Sequence, residues 1–165
     1  MKRKFVVYLS AVIAVALIIT AVYFLTRPSK APVITRVTTS NDIQSSDVNQ
    51  FVYDQNSSVC FFFYSSEDTD SQFVIKQMLD VIKSEYAITT FSKLYYVDLA
   101  ESDYLDNSNK LMNKWGFSSY PTFLVMKIDK SNVTVTDKLE WNSTSPYTID
   151  SVRNWLKSHS LLNNN

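Results

Sequence analysis

The side chains that could do chemistry in this sequence are few and lie apart from one another. The chain has 165 residues but only one cysteine and one histidine. His159 lies between serines near the C-terminus and has no cysteine or second histidine beside it to complete a metal site. A Ser-His-Asp hydrolase would need a nucleophile turn built on glycine, and the sequence contains no such turn. No metal site and no hydrolytic site is therefore predicted.

Three carboxylates lie close together in a polar segment that precedes a helical pattern. They are Glu67, Asp68 and Asp70. Acidic groups in that place stabilise a helix, because they interact with its dipole and cap its free N–H groups. A calcium site is the alternative, but the spacing lacks the central glycine and the distal glutamate of an EF-hand loop. Helix capping is the favoured interpretation.

The pattern of apolar residues predicts the elements that must position these groups. Continuous apolar or β-branched runs predict strands, and apolar residues at helical spacing predict helices. The predicted strands are 33–38, 59–64, 94–97, 123–128 and 133–136, and the predicted helices follow Ser45, Ser71, Asn107 and Thr148. This order, βαβαβαββα, predicts a mixed sheet between helices. The run 59–64 does not alternate, which indicates a central strand covered on both faces and a buried Cys60.

The junction between the third helix and the fourth strand carries the clearest local signal. Gly116, the only glycine, can take a positive φ without penalty and is predicted to stop the helix. Pro121 cannot donate to a sheet ladder, so it must begin its strand or lie on an edge, where a fixed cis bond is most common. With Trp115-Gly116 before it and Thr122 after it, this segment resembles the thioredoxin superfamily over roughly residues 33–162.

The resemblance implies an α/β fold in which a mixed sheet is flanked by helices, here a thioredoxin-like domain over residues 31–165. It also implies a place for the chemistry, since such domains carry Cys-x-x-Cys where the helix after the central strand begins. The helix N-terminus there lowers the pKa of the first cysteine. In this chain Thr69 and Gln72 hold the two cysteine positions, or Asp68 and Ser71 in the alternative register. Neither register supplies sulfur, so dithiol–disulfide exchange within the chain is impossible and no catalytic residue is predicted.

Polypeptide binding can survive the loss of both cysteines. The resemblance implies that the backbone of the residue before the cis-proline pairs with an extended segment, and Tyr120 holds that place. The candidate binding residues are therefore Tyr120, Pro121, Thr69, Asp70 and Trp115. Neighbouring aromatic rings would either bind a partner at this rim or fill the core under the loop; they are Tyr64, Trp115 and Phe117. Trp141 is a candidate for a second exposed anchor.

The first thirty residues differ in composition from the rest. Phe5–Leu25 contains no charged residue, and its 21 residues are long enough to span a hydrocarbon core of about 30 Å. Because a cleaved signal has a shorter apolar region, an uncleaved membrane helix is predicted, with a cleaved signal as the alternative. Three basic residues at positions 2–4 precede it, against Arg27 and Lys30 after it, so the N-terminus is predicted in the cytoplasm and the domain outside. Residues 1–30 would thus form a cytoplasmic tip, an anchor and the start of a linker.

The charge distribution narrows the possible partners. Residues 1–30 hold five basic residues and no acidic one, whereas residues 31–165 hold eleven basic and sixteen acidic residues, a net charge of −5. An acidic body without a basic stripe argues against nucleic acid. The short basic start is typical of a bacterial protein, and the layout is similar to that of bacteriocin-transport accessory proteins of Gram-positive bacteria.

Three functions are compatible with these features. The first is a redox-inactive, membrane-anchored domain, without a cofactor, that holds a polypeptide partner in export, maturation or envelope assembly. The second is an oxidoreductase that acts through Cys60 or through a thiol from a partner chain. The third is a structural subunit of a membrane complex. The absence of a cysteine pair favours the first.

Overall fold

The computed structural model of this protein describes residues 41–100, 102, 104 and 108–162. The predicted strand 33–38 and the predicted membrane helix Phe5–Leu25 lie outside these ranges. Within them, every helix is too short or too polar to cross a bilayer.

Helices and strands follow one another in the predicted order. Four strands and the helices around them account for most of the described chain. In sequence they are α1 (Val48–Gln55), β1 (Val59–Tyr64), α2 (Thr69–Val74), a π-helical turn (Ile75–Leu79), α3 (Asp80–Glu85), β2 (Leu94–Asp98), α4 (Ser108–Trp115), β3 (Thr122–Asp129), β4 (Asn132–Glu140) and α5 (Ile149–Ser158). The segments α2, the π-helical turn and α3 are continuous in sequence.

The described strands form one mixed sheet in the order β2-β1-β3-β4. β1 runs parallel to β2 and antiparallel to β3, so that Phe61 lies opposite Tyr95 on one side and opposite Leu124 on the other. β3 and β4 form an antiparallel hairpin. The predicted mixed sheet is confirmed, with β1 in an interior position.

Two hydrophobic clusters, one on each face of the sheet, explain why β1 is apolar throughout. Successive side chains of a strand point to opposite faces. Phe62 is part of the cluster that contains residues of α2, α3 and α5, such as Val74 and Trp155. Phe61 and Phe63 are part of the cluster that contains residues of α1 and α4. All three phenylalanines are 0% exposed, so both faces of β1 are core.

The β3–β4 hairpin differs from the prediction in length. Its turn lies at Lys130 and Ser131, which both have positive φ, as the sequence indicated for this region. β4 extends to Glu140, four residues beyond the predicted end. Its residues 136–138 are exposed. The prediction stopped too early because it followed apolar alternation, whereas a backbone ladder with β3 does not require apolar side chains.

Candidate functional site

The loop between β1 and α2 is held by hydrogen bonds that involve its own Asp68 side chain and the side chains of two α2 residues. Asp68 caps α2: its Oδ2 accepts a hydrogen bond from the Ser71 backbone N–H at 2.7 Å. Ser71 Oγ accepts from the Ser65 N–H at 3.2 Å, and Gln72 Nε2 donates to the Ser66 carbonyl at 3.2 Å. Ser71 and Gln72 are 0% and 6% exposed. The side chains of Asp68, Ser71 and Gln72 therefore serve the loop structure, and the predicted capping role is confirmed for Asp68.

A series of contacts connects α2 with the proline at the start of β3. Trp141 Nε1 donates to Asp70 Oδ2 at 2.8 Å, and the Trp141 ring packs edge-on against Tyr147. The Tyr147 hydroxyl donates to the Pro121 carbonyl at 3.2 Å. Trp141 is 7% exposed, so the expectation that it forms an exposed anchor is wrong. The indole N–H can be buried because it donates a hydrogen bond to a carboxylate that lies 71 positions away in the sequence.

The Tyr120–Pro121 peptide bond is cis, as predicted from the sequence. Pro121 is buried at the start of β3, where it removes no donor from the ladder. Thr122, the next residue, is 0% exposed, and its Oγ1 donates to the Leu139 carbonyl at 3.0 Å. Tyr120 is half-buried and packs against the cluster that includes α1 and α4.

Glu140, at the end of β4, holds the two residues that precede Tyr120. Its Oε1 accepts hydrogen bonds from the backbone N–H and the hydroxyl of Ser118, and from the Ser119 N–H at 3.0 Å. Lys138 Nζ lies 2.8 Å from its Oε2. Burial raises the pKa of Glu140, but the hydrogen bonds from Lys138 and Ser118 outweigh burial and lower that pKa to about 2. Glu140 is therefore ionised at neutral pH and fixes the proline loop.

The loop before α2 and the proline loop border one open groove of about 690 Å³, which we call the proline groove. Its lining residues are Asp68, Asp70, Ser118, Ser119, Tyr120, Glu140, Trp141, Asn142 and Ser143. Of the predicted binding residues, Asp70 and Tyr120 thus meet, although they are far apart in sequence. Thr69 is exposed as the first residue of α2 and does not line this groove.

Trp115 does not reach the proline groove. It is 2% exposed, stacks on Phe117 at 6.1 Å between ring centroids, and contacts Phe63 at 4.9 Å. It ends α4 with its ring turned into the core, and Phe117 is 0% exposed beside it. Both rings fill the core, which is the alternative that the sequence left open, and neither lines the proline groove.

The proline groove is acidic. Within the described ranges, neither Asp68 nor Asp70 lies within ion-pair distance of a basic side chain, whereas Glu140 is paired with Lys138. The other groups that line the groove are uncharged serines, an asparagine and two aromatic residues. A ligand that enters this groove therefore meets two carboxylates that have hydrogen-bond donors but no basic side-chain partner in the described part of the chain.

Cys60 is unsuited to nucleophilic chemistry. It is 8% exposed in β1. Burial, and to a lesser extent the charge of Asp137, raises the pKa of the Cys60 thiol to about 11. Because the thiolate is the reactive form, a thiol with this pKa is unreactive at neutral pH.

Sequence reasoning missed Glu140 and Tyr147 as parts of this site, and it predicted an exposed position for Trp141, which is buried. Glu140 lies opposite Thr122 in the hairpin, and a register that extends so far past the turn was not predicted. The position of Pro121 was the one signal in the sequence. Because Pro121 precedes β3, a partner strand that continues to the start of β3 comes close to the loop before the proline. Trp141 and Tyr147 follow β4 in a segment without helical or strand periodicity.

The topology defines the class of the fold. A parallel β1–β2 pair, an antiparallel β3–β4 hairpin entered through a cis-proline, and helices on both faces form a thioredoxin-like α/β domain. The one cysteine of the chain means that this domain contains no Cys-x-x-Cys pair.

Several solved structures are similar to this chain, and thioredoxins are among them. Thioredoxin from Trichomonas vaginalis matches with a TM-score of 0.44 and 12% identity, over 72% of this chain and 95% of its own. Thioredoxin from Plasmodium falciparum matches with a TM-score of 0.43 and 13% identity, over 73% and 89% of the two chains. The oxidized form of mitochondrial thioredoxin 3 from Saccharomyces cerevisiae matches with a TM-score of 0.43 and 12% identity, over 72% and 93%. These values carry no argument about activity. No protein-family model and no curated protein matches the chain.

Proposed function

We propose that this protein is a membrane-tethered, redox-inactive thioredoxin-like domain that binds an extended polypeptide segment outside the cytoplasm. The observation that carries this proposal is the proline groove, where the loop before α2 and the loop before Pro121 border one open surface. The groove is open, and three of the four candidate cysteine positions have side chains used for structure: Asp68 caps α2, and Ser71 and Gln72 make hydrogen bonds to the loop. A scaffold of this kind retains a place for a peptide and lacks the means to oxidise or reduce it.

The charge of the proline groove favours a segment that carries lysine or arginine. Asp68 and Asp70 border the groove without a basic partner in the described part of the chain. Each partly exposed ion pair with such a segment contributes up to about 1 kcal/mol and weakens as salt rises. The Trp141 N–H fixes the Asp70 carboxylate, and the Ser71 backbone N–H fixes that of Asp68.

The tether and the location rest on the sequence. Phe5–Leu25 has the length and composition of a single membrane span, and the basic residues at positions 2–4 favour a cytoplasmic N-terminus. A domain held outside the membrane with a polypeptide groove fits a role in export, maturation or envelope assembly. Bacteriocin-transport accessory proteins provide one form of such a role.

The burial of Cys60 argues against the oxidoreductase alternative. A thiol that is 8% exposed, with a pKa of about 11, can neither attack a disulfide readily nor form a mixed disulfide with a partner without opening the sheet. The proposal therefore assigns no role in catalysis to Cys60.

Site-specific photo-crosslinking of the full-length protein in its membrane tests the proposal. A photoreactive amino acid at Asn142, which lines the proline groove, should crosslink to a polypeptide, and Asp70→Asn in the same chain should reduce the yield. The matched control is the same photoreactive residue at Asn154, which is exposed on α5 outside the proline groove. Equal crosslinking from both positions, or none from Asn142, would contradict binding at the groove.

A further inference from the structure

A second surface lies at the β4 edge of the sheet. Among the described strands, β4 pairs with β3 alone, so one side of its backbone is left without a strand partner. An edge strand of this kind can be extended by another polypeptide, which completes the row of backbone hydrogen bonds.

A bulge divides this edge into two unlike halves. Val135 lies opposite Met126 and Asp137 opposite Val125, so Thr136 is an extra residue in β4. The half after the bulge is charged, as is common where an edge is protected against pairing. The half before it, residues 132–135, carries no charge.

β4 and α4 enclose a groove of about 660 Å³ next to that uncharged half, which we call the edge groove. Trp115 and Met126, both buried, contribute to its lining, and the half-buried Val133 and Val135 line it along β4. On α4, Met112 is 44% exposed and lies at the groove. The edge groove thus offers an apolar surface at Met112, Val133 and Val135, next to polar side chains of α4 and β4.

One positive charge at the edge groove is uncompensated in the described part of the chain. Lys114 Nζ lies 4.7 Å from the ring centroid of Trp115, 4.8 Å from that of Tyr104, and 2.7 Å from the Tyr104 hydroxyl oxygen. The other two charged residues of the lining have partners, since Asp137 contacts His159 at 2.7 Å and Lys138 contacts Glu140 at 2.8 Å. The complementary group on a ligand is a carboxylate.

From these observations we infer that the edge groove binds an extended, acidic segment of a partner protein by strand addition. The backbone of the segment pairs with residues 132–135, an apolar side chain packs against Met112 and Val135, and a glutamate or aspartate lies near Lys114. The proline groove favours a basic segment and this one an acidic segment, so the two surfaces engage different sequences. The inference does not depend on the function proposed for the proline groove.

A synthetic strand tests the inference directly on the full-length protein in mild detergent. The probe is a fluorescein-labelled peptide, capped at its C-terminus, of sequence TVEVT, and binding is followed by fluorescence anisotropy. We expect saturable binding that Lys114→Gln weakens at least fivefold. The matched control is Lys157→Gln, another lysine placed over an aromatic ring, at 5.8 Å from Tyr86, which should change binding less than twofold.

Two further comparisons separate strand addition from attraction by charge alone. A TVEVT peptide with alternate N-methyl groups keeps its charge but cannot form one row of backbone hydrogen bonds, and we expect it not to bind. Met112→Asp should weaken binding at least tenfold, whereas Val81→Asp, at an exposed apolar position of α3, should leave it unchanged.

Four results would overturn the inference. The first is no binding of TVEVT to the unmodified protein, and the second is equal binding of the N-methylated peptide. The third is loss of binding in Asp70→Asn with no effect of Lys114→Gln, which would place the peptide in the proline groove. The fourth is a dimer in sedimentation that Val133→Lys dissociates, which would assign the edge to a second copy of this chain.

Discussion

Replacing Glu140 by glutamine removes one charge and little volume from the support of the proline loop. The carboxylate accepts hydrogen bonds from Ser118 and Ser119 and is paired with Lys138. Lowering its pKa from 4.5 to about 2 corresponds, at about 1.36 kcal/mol for each pKa unit, to at most about 3.4 kcal/mol of stability. The side chains of Glu140 and Lys138 are 19% and 41% exposed, so solvent screens the interaction. We therefore expect Glu140→Gln to lower the free energy of unfolding by about 1.5 to 2 kcal/mol at pH 7.

The pH dependence has a definite sign. The folded state holds the pKa of Glu140 below its ordinary value, so the contribution is complete above about pH 4.5 and is lost as the pH falls towards 2. Other carboxylates titrate equally in both proteins and cancel from the difference. The stability difference between the unmodified protein and Glu140→Gln should be constant from pH 8 to 6 and should shrink below pH 5.

Urea unfolding of the full-length protein in mild detergent, followed by tryptophan fluorescence, measures this difference at each pH. Glu67→Gln is the matched control, since Glu67 is exposed and its side chain makes no hydrogen bond or ion pair with the residues that the structure describes. The control should stay within about 0.5 kcal/mol of the unmodified protein. Equal stability of Glu140→Gln and the unmodified protein at pH 7, or a difference that persists unchanged at pH 3, would refute the reasoning.

Three further predictions concern the core and the groove. Cys60 should react with a thiol reagent at neutral pH only after denaturation, because the thiol is buried and its pKa is raised. Prompt labelling of the native protein would contradict this burial and this pKa. Trp141→Phe should cost about 1 to 3 kcal/mol in urea unfolding, because it deprives Asp70 of its indole donor; a cost near zero would mean that this hydrogen bond is not formed. Trp115→Ala should cost about 3 to 5 kcal/mol because it opens a cavity, whereas Phe73→Ala, at a position 48% exposed, should cost less than about 0.5 kcal/mol; similar costs would contradict their different burial.

Much of the sheet could be predicted from local pattern. The apolar run 59–64 became β1 with the predicted bounds, since a strand covered on both faces has no reason to alternate. Thr148 caps α5 by accepting a hydrogen bond from the Ser151 N–H, as its position before an amphipathic run predicts. The positions of Gly116 and Pro121 predicted a helix stop and a cis bond, because few residues satisfy those backbone conformations.

Features that depend on distant partners or on small differences in helical geometry could not be predicted. The π-helical turn Ile75–Leu79 is one, since apolar residues spaced four apart suit an α-helix and a π-helical turn almost equally. The direction of Trp115 is another, because an aromatic residue at a helix end can face either the core or a rim. Glu140 appeared to be an ordinary edge carboxylate until the register of β4 with β3 placed it under the proline loop.

The contacts from Asp70 through Trp141 and Tyr147 to Pro121 determine how costly it is to occupy the proline groove. They join its two borders by a side-chain hydrogen bond at each end and a ring contact between them. The groove is therefore preorganised for the polypeptide binding proposed above, which would cost the domain little of its own conformational entropy. The entropic penalty of complex formation falls mainly on the incoming chain. A partner already extended by proline or β-branched residues should consequently bind more tightly than a flexible one with the same charges.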